Sequence, residues 1–157
     1  MTRLLAMALL VAGMLPAIPA AYAAGGDVGA GSPFVPADPD VEAGKAALRG
    51  KDWNGAIAAF GKVVARDPKD PDMQNWLGYA YRMDGKLDLA FKHYDEALKL
   101  DSRHRGAHEY IGEAYLMKGD VAKAKEHLAR LDRICFFGCT ELSELKKAIA
   151  EYEKKGK

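Results

Sequence analysis

Between Pro71 and His104 the chain shows the apolar spacing of a helix twice, across one break. Leu77 and Tyr81 stand four residues apart and share a face of the first segment. Ala90, Tyr94 and Ala97 follow at i, i+4 and i+7 and share a face of the second. Gly85 lies between them, where reversing the chain asks for φ > 0 or a close backbone approach. The spacing predicts two short helices packed together, with Ala90 small at the crossing and Tyr94 filling the space beside it. One such pair cannot bury its apolar face alone.

The same spacing recurs on both sides, without a gap. Thirty-four residues on, Ile111, Gly112, Tyr115, Gly119, Ala124, Leu128 and Leu131 occupy the equivalent places; thirty-four residues back stand Ala43, Gly44, Ala47, Ala56, Phe60, Val63 and Pro68. The first copy diverges at its turn, where Gly50 comes one place early and Lys51 holds the usual position. The expected helices are Asp40–Leu48, Trp53–Arg66, Pro71–Met83, Leu87–Leu100, Arg105–Lys118 and Val121–Ile134, with Asp52 and Asp120 as N-caps. A seventh, Glu141–Lys154, carries Leu142, Leu145, Ile149 and Tyr152 on one face and charged residues on the other. It suits a solvated cap on an array whose last unit otherwise exposes an apolar face.

These positions, from Leu77-Gly78 through Tyr81, Ala90, Tyr94 and Ala97 to the closing Pro68 of the first copy, resemble the tetratricopeptide repeat (TPR) signature. The resemblance implies an all-α TPR solenoid of three helix-turn-helix repeats, 37–70, 71–104 and 105–138, with a C-terminal capping helix over 139–157. It further implies that the first helix of each repeat lines a concave groove for an extended peptide or a partner helix. The groove residues carried over are Val41, Lys45, Leu48 and Arg49, then Asn75, Tyr79, Arg82 and Met83, then Glu109, Glu113, Leu116 and Met117. TPRs that hold chaperone tails clamp a terminal carboxylate with Lys and Asn. Val41, Lys45, Gly106 and Tyr110 stand at those places here, so that ligand is not expected.

The N-terminus follows different rules. Arg3 precedes an apolar run from Leu4 to Leu15, Pro16 and Pro19 break it, and Ala21-Tyr22-Ala23 is a cleavage pattern. Residues 1–23 therefore read as a signal peptide, and 24–39, rich in Gly and Pro, as a flexible linker with Phe34 and Val35 as its sizeable apolar residues. Cleavage leaves 22 basic against 22 acidic side chains, which gives no clustered excess to attract nucleic acid or an anionic membrane. Export to the periplasm is expected, with no stable membrane insertion after cleavage.

Cys135 and Cys139 are the sole cysteines of the chain. In an oxidising compartment they are expected to form a disulfide that ties the third repeat to the cap. The CFFGC segment followed by a helix looks like the ending of small exported bacterial TPR proteins. The alternative is a thiol or metal handler working through the same two cysteines. His93 and His127 share a repeat position beside the core; His104 and His108 are four apart but straddle a turn rather than share a helix, and His108-Glu109 lacks the second histidine of a zinc-protease motif. No phosphate loop or nucleophile elbow is present. The chain reads as a protein-binding scaffold, not an enzyme, with no cofactor and with self-association as a further expectation. Loss of Tyr79 and Arg82 together is expected to abolish partner binding and leave the melt unchanged.

Overall fold

A computed structural model describes residues 37–156, which form seven helices and no strand. They are α1 (Pro39–Arg49), α2 (Trp53–Arg66), α3 (Pro71–Met83), α4 (Leu87–Leu100), α5 (Arg105–Met117), α6 (Val121–Ile134) and α7 (Thr140–Lys155). The signal peptide and nearly all of the linker expected from the sequence lie outside the described residues.

Helix starts follow side-chain chemistry. Asp38, Asp52, Asp70 and Asp120 each accept a hydrogen bond from a backbone N–H of the first turn, which satisfies a donor that the helix itself leaves orphaned. At α5 the cap is an imidazole: His104 Nδ1 accepts from the Ala107 N–H at 3.0 Å. The turn inside each hairpin places one residue in the left-handed region, with φ of 58° at Lys51, 77° at Gly85 and 80° at Gly119. The divergent first copy therefore forces a lysine into a conformation that costs an L side chain about 1 kcal/mol.

Consecutive helices pack as hairpins, α1 with α2, α3 with α4 and α5 with α6, and each hairpin stacks on the next. The core is three linked clusters. Phe60, Met73 and Leu77 centre the first, Tyr94 and Ile111 the second, and Leu131, Leu145 and Ile149 the third. Small residues set the crossings. A Cβ on Gly44 would sit 2.6 Å from the Phe60 ring, and one on Gly78 2.6 Å from the Tyr94 ring. In both hairpins an aromatic of the second helix fills the space the glycine leaves on the first.

The third hairpin departs from this plan. Leu128 stands where Phe60 and Tyr94 do, and its sequence position predicts the same role. Yet the atoms nearest a Cβ on Gly112 belong to Leu145 of α7, at 2.6 Å, and Leu128 is only half-buried. A leucine is too small to fill a slot cut for an aromatic, so the seventh helix supplies the missing volume from outside. Leu145 is fully buried, worth roughly 1.5–3 kcal/mol, which makes α7 part of the core as well as its cover. Tyr152, expected on the buried face, lies exposed near the end of α7.

Candidate functional site

Helices α3 and α5 lie side by side, and a fixed offset pairs their side chains. Asn75 meets Gly106, Tyr79 meets Tyr110 and Arg82 meets Glu113, each pair thirty-one residues apart. The repeat is thirty-four residues long, so the stacked helices have slipped by three residues, about one turn. Equivalent positions therefore do not face each other; each faces a residue one turn earlier on the next hairpin.

The slip builds a cluster. Tyr79 and Tyr110 rings lie 4.9 Å apart, and the Arg82 guanidinium stands 5.1 Å from one centroid and 5.4 Å from the other. Arg82 Nη1 donates to Glu113 Oε2 at 2.7 Å, and the arginine is only 7% exposed. Burial opposes its charge, but Tyr94 and Glu113 outweigh that and hold the guanidinium protonated. Its Nε and the Tyr94 hydroxyl are buried without a hydrogen-bond partner, although the phenol is near enough to bear on the charge. The Asn75 Oδ1 is orphaned too. Trp76 adds a fourth aromatic, edge-on to Tyr79 at 6.1 Å.

Two cavities of about 540 Å³ flank the cluster. One is walled by Asn75, Trp76, Arg105, Glu109, Tyr110 and Glu141, the other by Arg82, Glu113, Leu116, Met117, Glu151 and Tyr152. Both run from the α3–α5 face onto α7, so the seventh helix extends this face as well as closing the core. Glu109 has no counter-ion within bonding distance among the described residues. Burial pushes its carboxyl up to about 7, helped by the charges of Glu113, Glu141 and Glu144.

The candidate residues fall into different environments. Asn75, Arg82 and Leu116 are buried; Tyr79, Glu109 and Glu113 are half-buried; Met83 and Met117 are exposed, at 38% and 54%. On α1, Val41 and Leu48 pack against the first core cluster, Lys45 pairs with Glu42 at 3.1 Å, and Arg49 points to water. No hydrogen bond, ion pair or ring contact among the described residues joins these four to the α3–α5 cluster. Arg82 also proves unsuited to a cost-free replacement. Removing it leaves the half-buried Glu113 without its cation, so the unchanged melt expected of the Tyr79 and Arg82 double variant is corrected to a destabilised one. Tyr110 entered the sequence reading only as a replaced clamp position and Trp76 not at all; carrying over equivalent positions ignores the slip that brings Tyr110 to Tyr79.

The opposite side of α5 carries a second polar seam. His108 Nδ1 and His127 Nδ1 lie 3.0 Å apart, and His108 Nε2 donates to the Ser102 carbonyl at 3.2 Å. This fixes His108 as acceptor and His127 as donor in the pair, both neutral. Burial, with the adjoining His108 ring and the charge of Arg130, pulls His127 down to about 4. The second hairpin builds the same seam without this pair, as Gln74 Nε2 donates to the Pro68 carbonyl at 3.0 Å and its Oε1 stands 2.8 Å from His93 Nδ1. The Cys135 and Cys139 sulfurs stand 2.12 Å apart, with Cα atoms separated by 5.7 Å.

Stacked helical hairpins with an aromatic, arginine-bearing face define a helical-repeat interaction module. The family model for the tetratricopeptide repeat matches residues 41–103 and 92–135, more than half of the chain, and the chain belongs to that family. A TPR repeat-containing thioredoxin of Arabidopsis thaliana is 26% identical over 87 residues, which is 55% of this chain and 13% of that protein. Among solved structures, the TPR2B domain of yeast Sti1 in complex with a pHsp70 peptide superposes with a TM-score of 0.67 at 17% identity, covering 74% of this chain and 94% of the other. The Yersinia enterocolitica type III secretion chaperone SycD, in complex with a peptide of the translocator YopD, gives 0.63 at 18% identity, covering 75% and 92%. At these identities the structures speak for the fold.

Proposed function

We propose that this chain is an exported, periplasmic scaffold protein that binds an extended peptide or a partner helix along α3, α5 and α7, its concave face. The observation that carries the reading is the Tyr79–Arg82–Tyr110 cluster bordered by exposed Met83 and Met117. Aromatic, arginine and methionine side chains are the residue types that concentrate binding energy at interfaces, and methionine adapts to partners of varied shape. The Sti1 and SycD structures support it, since both hold peptides on this fold. The chaperone-tail clamp residues are replaced at Val41, Lys45, Gly106 and Tyr110, so the partner is of another kind. Non-enzymatic action fits the same picture. Cys135 and Cys139 serve as a structural disulfide fastening α6 to α7, and a loop this short gains about 2 kcal/mol in the chain-entropy estimate.

The test compares affinity capture from the native periplasm by wild-type protein and by a Met83→Asp, Met117→Asp variant. Both side chains reach solvent, and an Asp in the last turn of a helix costs about 0.3–1 kcal/mol, so the variant stays folded. The proposal expects a partner recovered by wild type and lost from the variant, with a Lys62→Asp control on α2 behaving as wild type. Equal recovery by all three proteins would move the site off this face.

A further inference from the structure

The loop joining α6 to α7 carries the most exposed large apolar side chains of the described residues. Phe136 is 86% exposed and Phe137 97%. Their rings touch each other edge to face, 5.0 Å apart, and have no other ring contact among the described residues. Neither belongs to a core cluster, so the fold gains nothing from them. The loop is nevertheless well held. The Gly138 N–H donates to the Cys135 carbonyl at 2.8 Å, which closes a turn with the two phenylalanines at its corners. Gly138 takes a φ of 83°, and the cysteine sulfurs at either end stand at bonding distance. A preorganised tip of this kind gives up little conformational entropy on docking.

Beside the tip lies a receptor of matching chemistry. Between α6 and α7, the two helices the loop connects, a cavity of about 300 Å³ is floored by Leu128, Ala129 and Leu142 and rimmed by Lys125, Asp132 and Lys146. Leu128 is half-open to it because Leu145 has taken the inner slot at Gly112. The protein thus displays an apolar protrusion and an apolar groove on one edge, side by side.

We propose that this edge is a homodimer interface, in which the Phe136–Phe137 turn of each copy docks in the α6–α7 groove of the other about a two-fold axis. A surface with a knob next to a hole is complementary to its own rotated copy, which is the requirement for a closed, isologous pair. The area sets the strength: a phenylalanine offers 150–250 Å², so four rings and the shallow grooves that receive them bury roughly 1,000 Å², the size of a weak, concentration-dependent pair. A bilayer is a poorer match for the tip. Around it Arg130, Arg133, Lys125 and Lys146 are interspersed with Asp132, Glu141 and Glu144, so the charge is mixed and forms no one-signed cationic girdle of the kind that favours anionic lipid. The α6–α7 groove shares no lining residue with the two cavities that flank the α3–α5 cluster.

The test is light scattering across a wide concentration range on protein expressed from the full reading frame. Three proteins are compared: wild type, a Phe136→Ser, Phe137→Ser variant, and Ala129→Glu, which charges the groove at an exposed position. The proposal expects wild type to double its mass as concentration rises, both variants to stay monomeric with melts equal to that of dilute wild type, and their mixture to re-associate weakly, since one intact knob then meets one intact hole. Phe137→Ser alone gives the same reading should the double variant fold poorly. A wild-type monomer at every concentration would overturn the proposal, as would a dimer that survives both variants. So would a monomeric wild type whose tip binds vesicles of phosphatidylglycerol and phosphatidylethanolamine.

Discussion

The second and third hairpins share spacing, turn geometry and polar seam, yet they are completed differently. In the second, Gly78 is filled by Tyr94 from its own partner helix. In the third, Gly112 is filled by Leu145 from a helix outside the repeat. The second uses neutral amides at two neighbouring positions, Gln74 and Asn75, where the third has His108 and Glu109. The lesson is that a repeat specifies slots, and what occupies each slot decides whether a unit is self-contained and whether it responds to pH. The second hairpin closes itself. The third depends on α7 and carries titratable groups on both sides of α5.

Overpacking should separate the two hairpins most sharply. Gly78→Leu drives its side chain into the Tyr94 ring and the Ala90 carbonyl, in the middle of the array. Cooperative unfolding should weaken by 3 kcal/mol or more, on the order of the worst overpacking cases. Gly112→Leu meets the flexible end of Leu145 instead, and α7 can give way. Thermal melts should show a smaller loss there, with early exposure of α7. Equal losses would erase the distinction.

Truncation should follow the same logic. Leu145→Ala empties a fully buried site and should cost about 2–5 kcal/mol by denaturant titration. Leu128→Ala, at the position equivalent to Tyr94, should cost less than half as much because that side chain is half-open. A larger loss at Leu128 would mean that the third hairpin closes itself after all.

The pH response sharpens the contrast on α5. Glu109 has a folded pKa near 7 against an ordinary 4.5, so the folded state binds more protons across that interval. Stability should therefore fall as pH rises from 4.5 to 7, by about 2 kcal/mol allowing for partial exposure. His127, lowered from 6.5 to about 4, acts the other way: the unfolded state binds more protons, and stability is lost as pH falls through that interval. The two contributions oppose each other between pH 4.5 and 6.5, so Glu109→Asn, which installs the second hairpin's amide, should make stability rise more steeply with pH across that interval and remove the decline from there to 7. Denaturation midpoints from pH 4 to 8 would decide this, and an unaltered profile would discard the assignment.

The smallest effect concerns the first hairpin. Lys51 holds the left-handed position that glycine holds in the other two. Lys51→Gly should raise stability by about 0.5–1 kcal/mol, the relief of strain being partly offset by the freer unfolded chain. A lower melting temperature would show that the lysine is not strained.

Most of the helical frame was legible because it rests on local rules. A thirty-four-residue period, capping aspartates and turn residues at 51, 85 and 119 place the helices within a residue or two of where they lie. The site was harder to read. Groove positions transferred by equivalence name Tyr79, Arg82 and Glu113, but the three-residue slip that brings Tyr110 to Tyr79 arises when two helices pack, and no single helix records it. The same holds for Leu145, whose spacing marks an apolar face without saying which glycine it will fill. Exposure is equally invisible in sequence. Phe136 and Phe137 read as ordinary apolar residues until the turn displays them to solvent.

The partner is proposed to dock on the α3–α5 face. Photo-crosslinking reads this directly, with a light-activated residue placed at Met83 or Met117, and at Lys62 or Lys92 on the second helices as reference. Crosslinks to a common partner are expected from 83 and 117 and none from 62 or 92. Crosslinks confined to 62 and 92 would contradict it and place recognition on the other side of the array.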